Sequence, residues 1–137
     1  MRPTSIAVIA GLAVLNGGQA LAEPKLDGEF RGRGEGRLTL QVFALDDPSP
    51  VAGAYFVSLQ TALPNRCTGQ VTGIARTSAP LTLTLRQKPD EDGDTCEVVL
   101  RYTSDGKGLR VDENACGNWH GRECAFEGKL TRVPPVP

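Results

Sequence analysis

From Phe30 the chain alternates, and no other feature narrows its fold so far. The even positions Phe30, Gly32, Gly34, Gly36, Leu38, Leu40 and Val42 are apolar or lack a side chain. The odd positions between them, Arg31, Arg33, Glu35, Arg37, Thr39 and Gln41, are polar. Successive side chains of a strand point to opposite faces, so a period of two assigns one face to a core and the other to water. The same alternation returns at Tyr55, Val57 and Leu59, at Val71, Gly73 and Ala75, and at Leu81, Leu83 and Leu85. It continues at Cys96, Val98, Leu100 and Tyr102, at Leu109 and Val111, and at Cys124, Phe126, Gly128 and Leu130. No stretch sustains the 3.6-residue period of a helix. The pattern predicts an all-β chain.

Turn chemistry separates the alternating runs: Asp46 to Pro50, Leu63-Pro64-Asn65, Ser78 to Pro80, Pro89 to Gly93, Ser104-Asp105-Gly106 and Asn114 to Gly121. Asp92-Gly93 and Asp105-Gly106 are hairpin dipeptides, because glycine accepts the positive φ of a tight turn. About eight short strands with short connections predict a small antiparallel meandering β-barrel, whose closure removes exposed edges. The inward glycines Gly32, Gly34, Gly36, Gly69, Gly73 and Gly128 suit sharply coiled strands.

Ahead of this region stands a different segment. Arg2 precedes an apolar run from Ser5 to Leu15, and Ala20-Leu21-Ala22 precedes Glu23. A positive start, a short apolar stretch and a small-residue cleavage site predict a secretory signal peptide over 1–22. The run falls short of the ~20 residues that span a bilayer, so no membrane anchor is expected. The mature chain is expected to be one β-barrel domain, 23–137, in which 133–137 is a proline-rich tail that cannot join a sheet. Its expected location is periplasmic or secreted.

In an exported chain the four cysteines, Cys67, Cys96, Cys116 and Cys124, read as a disulfide framework that staples the barrel. Three pairings are possible. The expected one joins Cys116 to Cys124, closing a short loop, and Cys67 to Cys96, joining two strands. With 15 basic residues against 16 acidic ones the whole chain carries −1, and loss of Arg2 makes the mature chain more negative. That balance lacks the footprint of a nucleic-acid binder and the basic excess that holds a protein on anionic lipid. Neither is expected as a partner.

Cys116, His120 and Cys124 stand with three residues between each, and thiolates with imidazole ligate zinc. The spacing matches no common zinc pattern, and an oxidising compartment turns thiolates into bridges. The expectation is therefore a disulfide-closed loop with Trp119 and His120 at an exposed tip, and no metal or cofactor. Asp90, Glu91, Asp92 and Asp94 fall short of a calcium loop, since Gly93 interrupts the aspartates and no bidentate Glu follows at the right distance. They read as a solvated hairpin loop or as an acidic finger that steers toward a cationic partner. Gly32 to Gly36 leads into a strand, so it lacks the helix N-terminus of a phosphate cradle. The single histidine adjoins no free nucleophile, and nothing near the turn carboxylates would raise a pKa for acid catalysis. No enzyme is expected.

The last part of the chain joins two features. Cys116 to Cys124 forms a short cysteine loop holding Trp119, and Phe126, Gly128 and Arg132 follow as an aromatic, a glycine and an arginine on one strand. Cys67 to Gly73 and Cys96 to Leu100 complete a four-cysteine β pattern. This pattern, from Tyr55 to Arg132, resembles the small exported four-cysteine β domains of bacterial periplasmic proteins, including those that accompany lysozyme-inhibitor-like modules. The resemblance implies a periplasmic or secreted bacterial protein that binds a protein, and it carries over no site residue. Together these lines lead to a monomeric binding module for a protein partner, such as a basic lysozyme-type hydrolase. Asp90, Glu91, Asp92, Trp119 and His120 are the partner-binding candidates. A carrier of a small apolar ligand inside the barrel and a structural envelope protein stay open as alternatives.

Overall fold

The computed structural model of the protein describes residues 23–45, 53–89 and 91–136, together with Gly11. The expected signal peptide (Gly11 apart), the turn from Asp46 to Pro50, Asp90 and Pro137 lie outside the described residues. Among the described residues eight strands follow in order: β1 (Gly28–Gly34), β2 (Arg37–Ala44), β3 (Ala54–Leu63), β4 (Cys67–Ala79), β5 (Thr82–Arg86), β6 (Glu97–Tyr102), β7 (Gly108–Asn114) and β8 (Gly128–Arg132). Each pairs antiparallel with its sequence neighbour, and β8 returns to β1, closing the barrel.

The alternation sets the inward face. Phe30, Leu38, Leu40, Val42, Val57, Leu59, Leu83, Val98 and Leu100 are all wholly buried, and the residues between them point outward. Burying a side chain of that size contributes about 1.5–3 kcal/mol, so the interior is the main source of stability. At the closing seam Gly32 faces Leu130, and a Cβ on Gly32 would overlap the Lys129 carbonyl oxygen. Only glycine lets β1 and β8 approach so closely there. Leu81, expected in a strand, instead turns the chain between β4 and β5 at φ 56°.

The barrel has two unlike ends. At the end where the described chain starts and finishes, residues 25–27 are strapped across the opening. Arg132 donates from Nη1 to the Asp27 carbonyl (2.6 Å), from Nη2 to the Lys25 carbonyl (2.6 Å) and from Nε to the Gly106 carbonyl (3.1 Å). Its guanidinium lies 4.6 Å from the centre of the Phe30 ring. Phe30 meets Tyr102 edge to face, and the Tyr102 hydroxyl donates to the Leu26 carbonyl at 2.8 Å. Burial pushes the Tyr102 phenol pKa up, so this donor keeps its proton throughout the physiological range. The opposite end, called here the loop end, carries the β1–β2 and β3–β4 turns and the two long connections, 87–96 and 115–127.

Both disulfides lie at the loop end. They join Cys67 to Cys124 and Cys96 to Cys116, with Cα–Cα separations of 6.0 and 4.4 Å. This corrects the expected pairing of Cys116 with Cys124 and of Cys67 with Cys96. The reason lies in register. β6 and β7 pair with Glu97 opposite Asn114, so Cys96, just before β6, meets Cys116, just after β7. The segment from Cys116 to Cys124 does not close on itself but runs across to the start of β4, where Cys67 stands.

Candidate binding surface at the loop end

β4 has 13 residues and β5 only 5, and their pairing begins at Ala75. The first half of β4 is therefore left without a strand on that side, and an open edge of this kind invites aggregation. The 115–127 loop covers it. His120 forms a β-bridge with Gly69, Gln70 N–H donates to the Trp119 carbonyl (3.1 Å), and Gly121 N–H donates to the Thr68 carbonyl (3.1 Å). A Cβ at Gly69 would stand 2.8 Å from His120 Cα and closer still to its side chain, so glycine is required for the loop to seat. Gln87 donates from its amide to the Thr72 carbonyl and finishes the cover.

His120 is not at an exposed tip. Its side chain is 8% exposed, packed edge to face on Phe126 with ring centroids 5.0 Å apart. Nδ1 lies 2.7 Å from the Gly121 carbonyl, which can only accept, so this nitrogen carries a proton. Nε2 lies 2.8 Å from Glu113 Oε1, while Glu113 Oε2 accepts from the Phe126 amide at 2.7 Å. When the ring is protonated Nε2 donates to Glu113 Oε1 as well, so this setting favours the imidazolium form of His120. Burial pulls the His120 pKa down, but the Gly121 carbonyl, the Glu113 hydrogen bond and the charges of Glu113 and Glu35 outweigh it, and the net direction is upward. The expected exposed His120 is thus corrected to an internal clamp. It fastens β7, the loop and β4 to one another.

Trp119, one residue earlier, is half-buried and packs against the core. It forms one wall of an open hollow of about 440 Å³, whose floor carries Gln60, Ala62, Thr68 and Gln70. Gln60 and Gln70 are direct cross-strand partners, as are Ala62 and Thr68, so a pair of amides and a hydroxyl stand beside one indole. Every side chain lining this hollow is uncharged. Such a surface offers apolar contact and hydrogen bonds of either sense to a partner's side chains.

The acidic finger stands next to it. Glu91, Asp92 and Asp94 are exposed, and Gly93 turns the tip at φ 81°. Asn118 Nδ2 donates to Asp92 Oδ2 at 3.4 Å, so the residue before Trp119 holds the finger. The Cys96–Cys116 bridge joins the base of the finger to the base of the Trp119 loop. Arg66 and Glu123 pair at 3.4 Å across the far side of the same loop. The structure therefore brings Glu91, Asp92 and Trp119 to one end, while Asp90 falls outside the described residues and His120 lies beneath them. Sequence reasoning missed Glu113 and the Gln60–Gln70 pair. The alternation places both glutamines outward, but nothing local says that a distant loop will stand over them.

With all four cysteines bridged, the thiolates a zinc site would need are consumed. Among the described residues no three His, Cys, Asp or Glu side chains gather as a metal site. Two disulfides are the chemistry of an oxidising, exported environment, and among the described residues no helix is long and apolar enough to cross a membrane. No family model, curated protein or solved structure matches the chain.

Proposed function

We propose that the protein is a periplasmic or secreted binding module that presents its loop end to a basic protein, of the kind a lysozyme-type hydrolase offers, and acts by occupying it rather than by catalysis. The observation that carries this reading is the junction of finger and loop. The Cys96–Cys116 bridge and the Asn118–Asp92 hydrogen bond hold an anionic tip beside a tryptophan-walled hollow. A surface ordered before encounter avoids much of the entropy that binding otherwise costs, and tryptophan is enriched among residues that dominate interfaces. The four-cysteine β pattern points the same way. The interior, filled by the barrel's own side chains, favours a partner outside over a ligand within.

The test is equilibrium binding to a basic lysozyme-type protein. Trp119→Ala is expected to weaken binding about thirtyfold, equivalent to about 2 kcal/mol, with the acidic finger left in place. An affinity unchanged by Trp119→Ala, or no binding by the correctly folded wild type, would overturn the proposal.

A further inference from the structure

The outer wall of the barrel holds an arrangement that the loop-end reading does not use. Arg37 on β2 is the direct partner of Arg33 on β1, Arg33 of Lys129 on β8, Lys129 of Arg110 on β7, and Arg110 of Arg101 on β6. Five cations thus stand side by side across five consecutive strands, all exposed. Like charges directly opposite one another destabilise a sheet, and here four such oppositions follow in succession. Asp112 engages two members of the row, Arg101 and, at 3.3 Å, Arg110. Among the described residues Arg33, Arg37 and Lys129 form no ion pair. Arg33, Arg110 and Lys129, with Val111, Glu127 and Gly128, line an open hollow of about 330 Å³.

The row belongs to a wider segregation of charge. Within the eight strands nine residues are Arg or Lys and four are Asp or Glu, although the chain as a whole is net negative. The walls are cationic and the loops anionic. Net charge alone concealed this.

We infer that this row binds a linear acidic polysaccharide, a flexible chain bearing carboxylate or sulfate groups at regular intervals. Neighbouring strands lie about 4.8 Å apart, so the five cations extend over about 19 Å of a convex wall. A flexible chain can follow that curvature, whereas a flat bilayer surface meets only its crest. Single-stranded nucleic acid calls for aromatic platforms between the cations. The row has none, and the exposed Phe43 and Phe56 stand at the far ends of β2 and β3. Four of the five cations are arginines, whose planar guanidinium meets carboxylate or sulfate with two parallel hydrogen bonds.

The experiment measures binding of the full chain to polygalacturonate and to dextran sulfate across a salt series. Neutral dextran, a single-stranded oligonucleotide and anionic phosphatidylglycerol vesicles are the comparisons. Wild type is expected to bind both acidic polysaccharides at low salt and not neutral dextran. Arg33→Gln with Lys129→Gln should weaken binding at least tenfold and lower the salt slope by about two. Arg76→Gln with Arg86→Gln removes the same charge from β4 and β5 and should leave affinity within twofold. Because the first pair relieves repulsion, its thermal midpoint should equal or exceed that of wild type, which separates lost binding from lost folding. The inference is overturned if wild type binds neither acidic polysaccharide, if both double variants lose affinity equally, or if the oligonucleotide or the vesicles bind more tightly. None of these outcomes depends on Trp119 or the acidic finger.

Discussion

At the scale of single residues, the His120–Glu113 pair fastens the loop end from within. The two side chains are 8% and 13% exposed, and removing Glu113 leaves His120 Nε2 and the Phe126 amide without their acceptor in an enclosed setting. Glu113→Ala is expected to cost on the order of 2 kcal/mol through those two lost hydrogen bonds, measured by chemical denaturation. The pair also gives stability a pH dependence with a definite sign. His120 has a folded-state pKa above its ordinary 6.5, so its contribution is complete below about 6.5 and fades as pH rises through the higher folded value. Comparing denaturation midpoints on the two sides of that window should show wild type weakening toward alkaline pH. His120→Gln, which can still donate to Glu113 but cannot titrate, should lack that component. Nearby, Thr61 carries a buried hydroxyl for which no hydrogen-bond partner is found among the described residues. Thr61→Val keeps the shape and removes the unmet polar group, so stability should rise by about 1 kcal/mol. Half of this was legible beforehand. A histidine in a cysteine-bounded loop carries no mark of what will face it, but Glu113 follows Leu109 and Val111 on the inward parity of β7, and a carboxylate on the core face calls for a partner.

At the scale of elements, the strands were legible and the loop path was not. Alternation from Phe30 to Val42 named the inward face residue by residue, and Asp92-Gly93 and Asp105-Gly106 marked two real turns, with Gly93 and Gly106 at φ 81° and 70°. One disulfide was legible too. Counting outward from Asp105-Gly106 sets Glu97 opposite Asn114 and brings Cys96 beside Cys116. A preference for the shortest loop hid that signal. The Cys67–Cys124 bridge had no local signal, because it depends on β4 outrunning β5 and on the 115–127 loop covering the difference. The sequence separations of 57 and 20 imply, on the loop-entropy account, losses of about 4 kcal/mol for Cys67→Ser with Cys124→Ser and about 3 kcal/mol for Cys96→Ser with Cys116→Ser. Thermal or chemical denaturation of the two double variants measures both. Hydrogen exchange at the Gln70 and Gly121 amides should rise in the first, since that bridge holds the cover on β4.

At the scale of the whole molecule, the closed barrel is a rigid mount with two chemically different surfaces. Its interior is occupied by its own side chains, its wall is cationic, and its loop end places carboxylates beside an indole. Composition alone made the molecule look uniformly mildly acidic, since a sum over the chain erases where the charges stand. Topology restores the positions, because antiparallel register decides which outward residues become neighbours. The central functional claim is that the stapled acidic finger guides a basic protein onto the loop end. The rate of association with a lysozyme-type protein as ionic strength rises tests it most directly, with Glu91→Gln and Asp92→Asn as the paired variant. Exposed charges are screened beyond about 8 Å at physiological salt, and charges at an interface rim act mainly on encounter. The wild-type on-rate should therefore fall steeply with salt while the off-rate changes little, and the variant should start slower and show a flatter dependence. An on-rate indifferent to salt, or equal in wild type and variant, would contradict the claim.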